Sequence, residues 1–318
     1  MRRQPDFWNR QGFLPFVLLP IAWLYGLSAK LHRALVYPKR LGVPVISIGN
    51  ITAGGAGKTP TTIALAQLLQ QNGMIPHIIS RGYGAKIAAP LRVDVVQHNV
   101  CDVGDEALLL AQHAPAWVCP NRYAAGSAAI KAGANILLCD DALQHHALKK
   151  DINLLVIDGA YGIGNGKILP AGPLRESLTA AHKRCDAVIL IGDDRHGLTH
   201  HISIPIFRAS ILPKGDMEWL KDTKVIAFAG IARPQKFYET LLELGAVLSK
   251  TFNFADHHRF SEAELTLLTQ QDMMVVTTEK DWVRLPSHWQ ARIRYVPIAL
   301  QLENSAALRD WLEQKLHA

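Results

Sequence analysis

The apolar run Val45–Gly49, the string Asn50-Ile-Thr-Ala-Gly-Gly-Ala-Gly-Lys-Thr-Pro60 and the helical pattern of Thr61–Gln71 together limit what this chain can become. A short continuous apolar run that breaks into a glycine-rich turn and then a 3.6-period segment reads as buried strand, loop and helix. That is the setting a P-loop requires. Gly54, Gly55 and Gly57 free the backbone so that N–H groups can converge on phosphate oxygens, and Thr52 and Ala56 complete the loop. Lys58 is then placed for the β- and γ-phosphates of ATP, and Thr59 offers its hydroxyl to Mg²⁺. Pro60 falls in the first helical turn, where a missing N–H is harmless. Thr52 stands where the common G-x-x-x-x-G-K-T pattern has its first glycine. The rival reading is a glycine-rich turn with a chance lysine, and the flanking strand and helix weigh against it.

Further continuous apolar runs lie at His77–Ser80, Ala116–Cys119, Asn135–Cys139, Asn153–Ile157, Ala187–Ile191 and Ile202–Arg208. Continuous rather than alternating runs suit parallel strands covered on both faces. Strands alternating with helices predict an α/β fold with a P-loop-type doubly wound parallel sheet, over residues 41–211. A turn-rich linker follows at 212–218. The pattern then restarts at Val225–Ala229, Gln235–Leu244, Ser261–Gln270, Met274–Thr277, Arg294–Ile298 and Ala306–Leu316, a second, smaller α/β domain over 219–318.

Residues 1–40 form a different kind of segment. Of the net charge of +7, +6 resides there, from Arg2, Arg3, Arg10, Lys30, Arg33, Lys39 and Arg40 against Asp6. The rest of the chain is nearly neutral, unlike a nucleic-acid binder with a basic patch spread over its folded domain. Between the basic residues, Phe13–Leu27 carries no charge. It is shorter than the roughly twenty residues of a bilayer span, and Pro15 and Pro20 interrupt it. A signal peptide, a buried core helix and an interfacial helix compete for it. The basic flanks with Trp8, Trp23 and Tyr25 favour a membrane-associated helix lying at the surface. Four scattered cysteines without a C-x-x-C pair argue against a disulfide scaffold or a cysteine zinc site.

A P-loop does not name a reaction. The N-K-x-D string that a GTPase uses to read its base is absent. Ala53 stands where the partner-regulated partitioning ATPases carry a lysine. Both absences favour a kinase over a partner-regulated ATPase or a non-catalytic nucleotide-binding membrane protein. Carboxylates for Mg²⁺ are offered at three strand ends: Asp140-Asp141, Asp158 and Asp193-Asp194, with Asp140-Asp141 favoured by the polar Gln144-His145-His146 that follows. A cap or turn is the commoner role for an aspartate at a strand end, and it is open to each of the three. Asp105 and Glu106 open a helical run, either as helix-dipole partners or as a general base. Asp256-His257-His258-Arg259 precedes a capping box formed by Ser261 and Glu264. The glycine–proline string Gly164–Glu176 is a long loop with little to bury.

Taken together, these strings resemble the tetraacyldisaccharide 4'-kinase family, the lipid A 4'-kinases. The resemblance rests on Gly49–Pro60, Ser80-Arg-Gly-Tyr-Gly84, Val103-Gly-Asp-Glu106, Asp140-Asp-Ala-Leu-Gln-His145, Gly164–Glu176, Phe228-Ala-Gly-Ile-Ala-Arg-Pro234, Asp256-His-His258 and Thr278-Glu-Lys-Asp281, in order over nearly the whole chain. Thr52 is that family's form of the loop. Ala142-Leu143 departs from it, where Gly-Phe is common. The resemblance implies transfer of the γ-phosphate of ATP to the 4'-hydroxyl of an anionic lipid disaccharide 1-phosphate, at the cytoplasmic face of a Gram-negative inner membrane. It implies Asp105 as catalytic base assisted by His257, with His258 the alternative. Asp140, Asp141 and Glu176 then join Thr59 near Mg²⁺. The expected partners are the lipid substrate and a membrane surface, with no nucleic acid and no obligate protein.

Overall fold

The computed structural model describes residues 5–317; Arg2 and Arg3 of the basic arm lie outside the described residues. Nine strands form the larger sheet: β1 (Val45–Gly49), β2 (Pro76–Ser80), β3 (Leu91–Arg92), β4 (Ala116–Val118), β5 (Ile136–Asp140), β6 (Ile152–Asp158), β7 (Ala187–Ile191), β8 (Ile206–Pro213) and a late strand, Ile298–Leu302. Their order from that late strand is β8-β7-β6-β1-β5-β2-β4-β3. Only the two edge pairings are antiparallel. β1 is central, flanked by β5 and β6. Ile46, Ile48, Ile78 and Leu138 point to one face, where Leu65, Ala66 and Leu69 of the helix Lys58–Gln71 cover them. Leu155, Ile157, Val188 and Leu190 face the other side with Ile51, Leu143 and Leu174. Burial on both faces is why these strands read as continuous apolar runs.

The second sheet is smaller and fully parallel: β9 (Lys224–Ala229), β10 (Val247–Asn253), β11 (Met274–Thr278) and β12 (Arg294–Val296), ordered β10-β9-β11-β12. β10 escaped the sequence reading because it is an edge strand with mostly exposed residues, so its run Val-Leu-Ser-Lys-Thr-Phe-Asn is not apolar. Two expected boundaries move. The strand placed at Ile202–Arg208 begins at Ile206, four residues after the 3-10 turn Leu198–His201 and its exit, and runs through Pro213. That extension takes up the start of the linker expected at 212–218. The run Arg294–Ile298 is split: Arg294–Val296 stays in the second sheet, and Ile298–Leu302 crosses back to pair with β8. The last helix, Ser305–His317, then buries Leu308 and Leu312 in the core of the larger sheet. Residues 298–317 therefore belong with the first unit, which tethers the second at both of its ends.

The N-terminal segment is a 3-10 turn at Asp6–Asn9 and two helices, Phe13–Val17 and Leu19–Leu35, with Pro20 in the first turn of the second. None of the described helices is long and apolar enough to cross a membrane. Residues 7–11 are stitched to the glycine–proline loop. Trp8 donates its indole N–H to the Pro170 carbonyl at 3.1 Å, and the Asn165 side chain donates to the carbonyls of Phe7 and Ala171. That loop buries Ala171 and Leu174, contrary to the expectation that it has little to bury.

Candidate active site

Gly57 closes the phosphate loop in the left-handed region, φ 88°, directly before the helix that Lys58 opens. Only glycine holds that conformation without cost. An open helix N-terminus after a glycine-rich turn is the backbone arrangement that suits an anion. Asn50 braces the loop from beneath. Its amide donates to the Thr52 carbonyl, the Thr52 hydroxyl and the Gly54 carbonyl at 2.8, 3.1 and 3.2 Å, and its Oδ1 accepts from Lys58 Nζ at 3.2 Å. Thr52 is thus buried and turned inward, a support of the loop. Ala56 is buried too, Gly55 is exposed, and Thr59 is half-buried beside Lys58. Leu143 packs over β1 so closely that a Cβ on Gly49 would stand 2.6 Å from its own Cβ. The Ala142-Leu143 departure therefore concerns packing.

The strand-end carboxylates separate into different roles. Asp140, buried at the end of β5, accepts a hydrogen bond from Thr62 at 3.1 Å. Burial, helped by the charges of Glu106 and Asp141, pushes its carboxyl up to about 7. Asp141 sits at φ 44° and pairs with Arg175 at 3.1 Å and Lys58 at 3.6 Å. Burial raises its pKa, but Lys58 and Arg175 outweigh this and hold it below the ordinary value. Glu176 is tied to Arg184 and accepts from Gln144 at 3.0 Å. Asp158, which the sequence offered as a third metal carboxylate, is bound instead by Arg233 at 2.6 Å and Lys236 at 2.5 Å of the second unit. Asp194 serves as a turn aspartate, accepting from the amides of Leu198 and Thr199.

Among the described residues no group of three or more histidine, cysteine, aspartate or glutamate side chains is gathered for a metal. The expected set of Asp140, Asp141 and Glu176 is therefore not assembled as one cluster, since Asp141 and Glu176 are each spent on arginine. Asp140 makes no ion pair with a described side chain and carries a carboxylate that burial penalises, a position that a cation relieves. One such carboxylate and a P-loop hydroxyl suit Mg²⁺, which is commonly held by one or two protein oxygens and substrate phosphates.

The second cluster joins the two units. Asp105, buried at the start of the helix Asp105–Ala111, accepts from Arg284 Nε at 2.7 Å and lies 2.9 Å from His257 Nδ1. Burial pushes its carboxyl up, but the His257 hydrogen bond and the Lys280 and Arg284 charges outweigh that and hold it well below the usual range. His257 adopts φ 60°, which turns its ring towards Asp105 and to 5.5 Å from the Tyr83 ring. His258 turns away, stacking on Phe254 and meeting Glu264 at 3.1 Å. Of the two histidines, His257 is the one that faces Asp105. Glu106, next to Asp105, pairs with Lys280 at 3.1 Å and contributes to the field on Asp140, so this cluster adjoins the phosphate loop. Arg233 also donates to the Gly55 carbonyl, closing the second unit onto the loop.

Arg175, Lys280 and Arg233 lie inside the strings quoted above but carry no spacing signal of their own. Arg284 lies outside every string.

Residues 14–317 match the profile of LpxK, tetraacyldisaccharide-1-P 4'-kinase. The chain belongs to the tetraacyldisaccharide 4'-kinase family. Among its relatives, the tetraacyldisaccharide 4'-kinase of Rhodospirillum rubrum is 42% identical over 98% of this chain and 97% of its own. That of Parvibaculum lavamentivorans is 43% identical over 97% of this chain and 95% of its own. Among solved structures, LpxK from Aquifex aeolicus in complex with ATP superposes with a TM-score of 0.80 at 27% identity, covering 96% of this chain and all of that one. The family resemblance and the α/β fold class read from the sequence are both borne out.

Proposed function

We propose that this chain is an ATP-dependent lipid kinase that transfers the γ-phosphate to the 4'-hydroxyl of a tetraacyldisaccharide 1-phosphate, a step of lipid A biosynthesis. Membership of the 4'-kinase family supports it, and the observation on this chain that carries it is the Asp105–His257 pair. The pair joins the two units beside a phosphate loop, where phosphoryl transfer to an alcohol needs a proton acceptor.

The loop amides and the N-terminus of the helix Lys58–Gln71 bind the triphosphate, and Lys58 leaves Asn50 and Asp141 to meet the β- and γ-phosphates. Thr59 and Asp140 would hold Mg²⁺ with the nucleotide, and the ion would neutralise charge on the phosphate oxygens. Asp141 and Glu176, with Arg175, Gln144 and Arg184, frame the cleft. The acceptor hydroxyl gives up its proton to the Asp105–His257 pair as its oxygen attacks. Because its surroundings make Asp105 strongly acidic, the proton comes to rest on the imidazole while the carboxylate fixes the ring's tautomer and orientation. Arg233 and Lys236, clasping Asp158, and Arg284, reaching Asp105, hold the second unit closed so that water is kept from the nucleotide.

The helix Leu19–Leu35 and the short helix before it expose Phe13, Phe16, Trp23, Leu24, Leu31 and Leu35. We read this as a peripheral membrane face; the location we propose for it, the cytoplasmic side of the inner membrane, rests on the family's amphiphilic acceptor. A cavity of about 390 Å³ between this helix and the body, lined by Trp23, Leu27, Ile168, Gln144, Arg175 and Glu176, leads from that face to the cleft. The deciding experiment is incubation with radiolabelled ATP and the lipid disaccharide 1-phosphate. A bisphosphorylated lipid is expected, and ATP consumption without a labelled lipid would overturn the assignment.

A further inference from the structure

Between β5 and β6 the chain runs through residues 141–150 as turns and one isolated bridge, with no helix or strand of its own. Ala142 and Leu143 are nonetheless buried. Carbonyls in such a segment have no ladder to enter, and an unpaired carbonyl away from water is costly. Three cations supply the missing donors. Arg122 donates to the carbonyls of Asp140 and Asp141 at 3.2 and 2.9 Å. Arg184 donates to that of Leu143 at 3.2 Å. Lys150 donates to those of Ala142, Leu143 and His145 at 3.1, 3.4 and 2.8 Å. An ammonium has three N–H donors and no acceptor, so each donor of Lys150 meets one carbonyl. Lys149, its neighbour, is exposed.

The turn that Lys150 gathers carries one wall of the cleft. Asp141 enters it at φ 44°, a conformation that a residue other than glycine keeps where its surroundings hold it. Asp141 meets Lys58 and Arg175. Gln144 donates to the Asn50 carbonyl at 2.9 Å and to Glu176 at 3.0 Å, and accepts from Arg175 at 3.3 Å. Asn50 in turn bonds Thr52, Gly54 and Lys58. A path of hydrogen bonds therefore runs from Lys150 through the turn to Gln144, and from Gln144 through Asn50 to the phosphate loop. The two carbonyls on either side of Gln144, those of Leu143 and His145, are both held by the same ammonium. Freed from it, the peptide units that aim the Gln144 side chain have room to rotate.

Building on the kinase assignment above, we infer that Lys150 is a positioning residue for phosphoryl transfer: by holding the carbonyls of Ala142, Leu143 and His145 it sets Gln144 against Asn50, and so keeps the phosphate loop in the shape that binds ATP. In this role Lys150 touches neither nucleotide nor acceptor. Its effect passes through Gln144, and small displacements of a positioned group carry large penalties in rate.

The test uses the full chain with Lys150→Met, which keeps the apolar stem and removes the three donors, Lys150→Arg, which restores donors and charge, and Lys149→Met as the exposed control. ATP affinity is measured by isothermal titration calorimetry without acceptor, and kcat with the lipid disaccharide 1-phosphate, each well below the unfolding midpoint of the variant. Lys150→Met is expected to weaken ATP binding about tenfold and to lower kcat by a similar factor. Lys150→Arg is expected to recover most of both, and Lys149→Met to leave both within about twofold. In a Gln144→Ala background the further cost of Lys150→Met is expected to shrink to about twofold, because the path to the loop is already cut. Wild-type affinity and kcat in folded Lys150→Met overturn the proposal. So does an undiminished tenfold loss in the Gln144→Ala background, which would assign Lys150 to general stability. Where Lys150→Met does not fold, Lys150→Gln, which keeps two donors, takes its place in the same cycle. ATP binding is read without lipid, so a wild-type chain that binds ATP and phosphorylates no lipid defeats the kinase assignment, while affinity alone decides the role of Lys150.

Discussion

His257 Nδ1 stands 2.9 Å from the buried Oδ2 of Asp105, across 152 residues of chain and between two separately built sheets. The contact exists only while the second unit lies against the first, so the pair depends on how the two sheets are packed together.

Because the two groups act together, their losses overlap. Asp105→Ala and His257→Ala are each expected to lower kcat by roughly 10²–10⁴ with little change in ATP affinity. Asp105→Asn serves as the control that keeps a partner near Arg284. The double variant is expected to lose little more than Asp105→Ala alone. A double-mutant cycle on kcat that came out additive would remove the dyad.

Lys58→Ala is expected to lose most activity while the fold survives, since Asp141 keeps Arg175 and Asn50 keeps its bonds to Thr52 and Gly54. Turnover and far-UV circular dichroism on the same preparation check this. Near-normal turnover from a folded variant would sink the phosphate-loop role.

The clasp of Arg233 and Lys236 on Asp158 predicts a pH dependence. Burial raises the Asp158 carboxyl, but the Arg233 and Lys236 contacts outweigh it and depress its pKa below the ordinary 3.8. A carboxylate depressed in the folded state lends stability that is fully present above its unfolded pKa and is lost as pH falls through the folded value. Asp158→Asn should therefore lower Tm at pH 7, and the gap to wild type should close as the pH drops below about 3.8. A gap that stayed constant down to pH 3 would mean that the charge of Asp158 adds nothing.

Membrane association is expected to depend on the exposed face of the N-terminal helices. Phe13, exposed to 83%, with Phe16 and Leu24 offers three large side chains, each worth about 1.5–3 kcal/mol on burial. Replacing all three with serine should shift the protein from the vesicle pellet to the supernatant without lowering Tm. Deleting the first thirty or so residues is a poorer test, because it also removes the bond from Trp8 to Pro170 and those from Asn165 to the 7–10 backbone. Full retention of the serine variant on vesicles would place the membrane contact elsewhere.

Local chemistry made much of this protein legible in its sequence. Strands buried on both faces appear as unbroken apolar runs, so β1, β5, β6 and β7 were readable to within a residue or two. A glycine-rich turn between a buried strand and a helix has its glycines at fixed offsets, so the turn at Gly57 and the helix start at Lys58 were readable as well. What remained was decided by contacts between distant segments. The sequence could not show that Ile298–Leu302 returns to the first sheet, because a strand's partner is set by the register of another strand and not by its own residues. Nor could it show that His257 faces Asp105 while His258 faces Glu264, or which charged partners meet Asp141, Asp158 and Glu176. These three and Asp140 are all acidic residues at or just beyond strand ends or within a loop. The ion pairs that the folded chain forms with three of them, and not with Asp140, tell them apart. A carboxylate's function follows the charges within a few ångströms of it, and in this protein those charges come from segments far away in the chain.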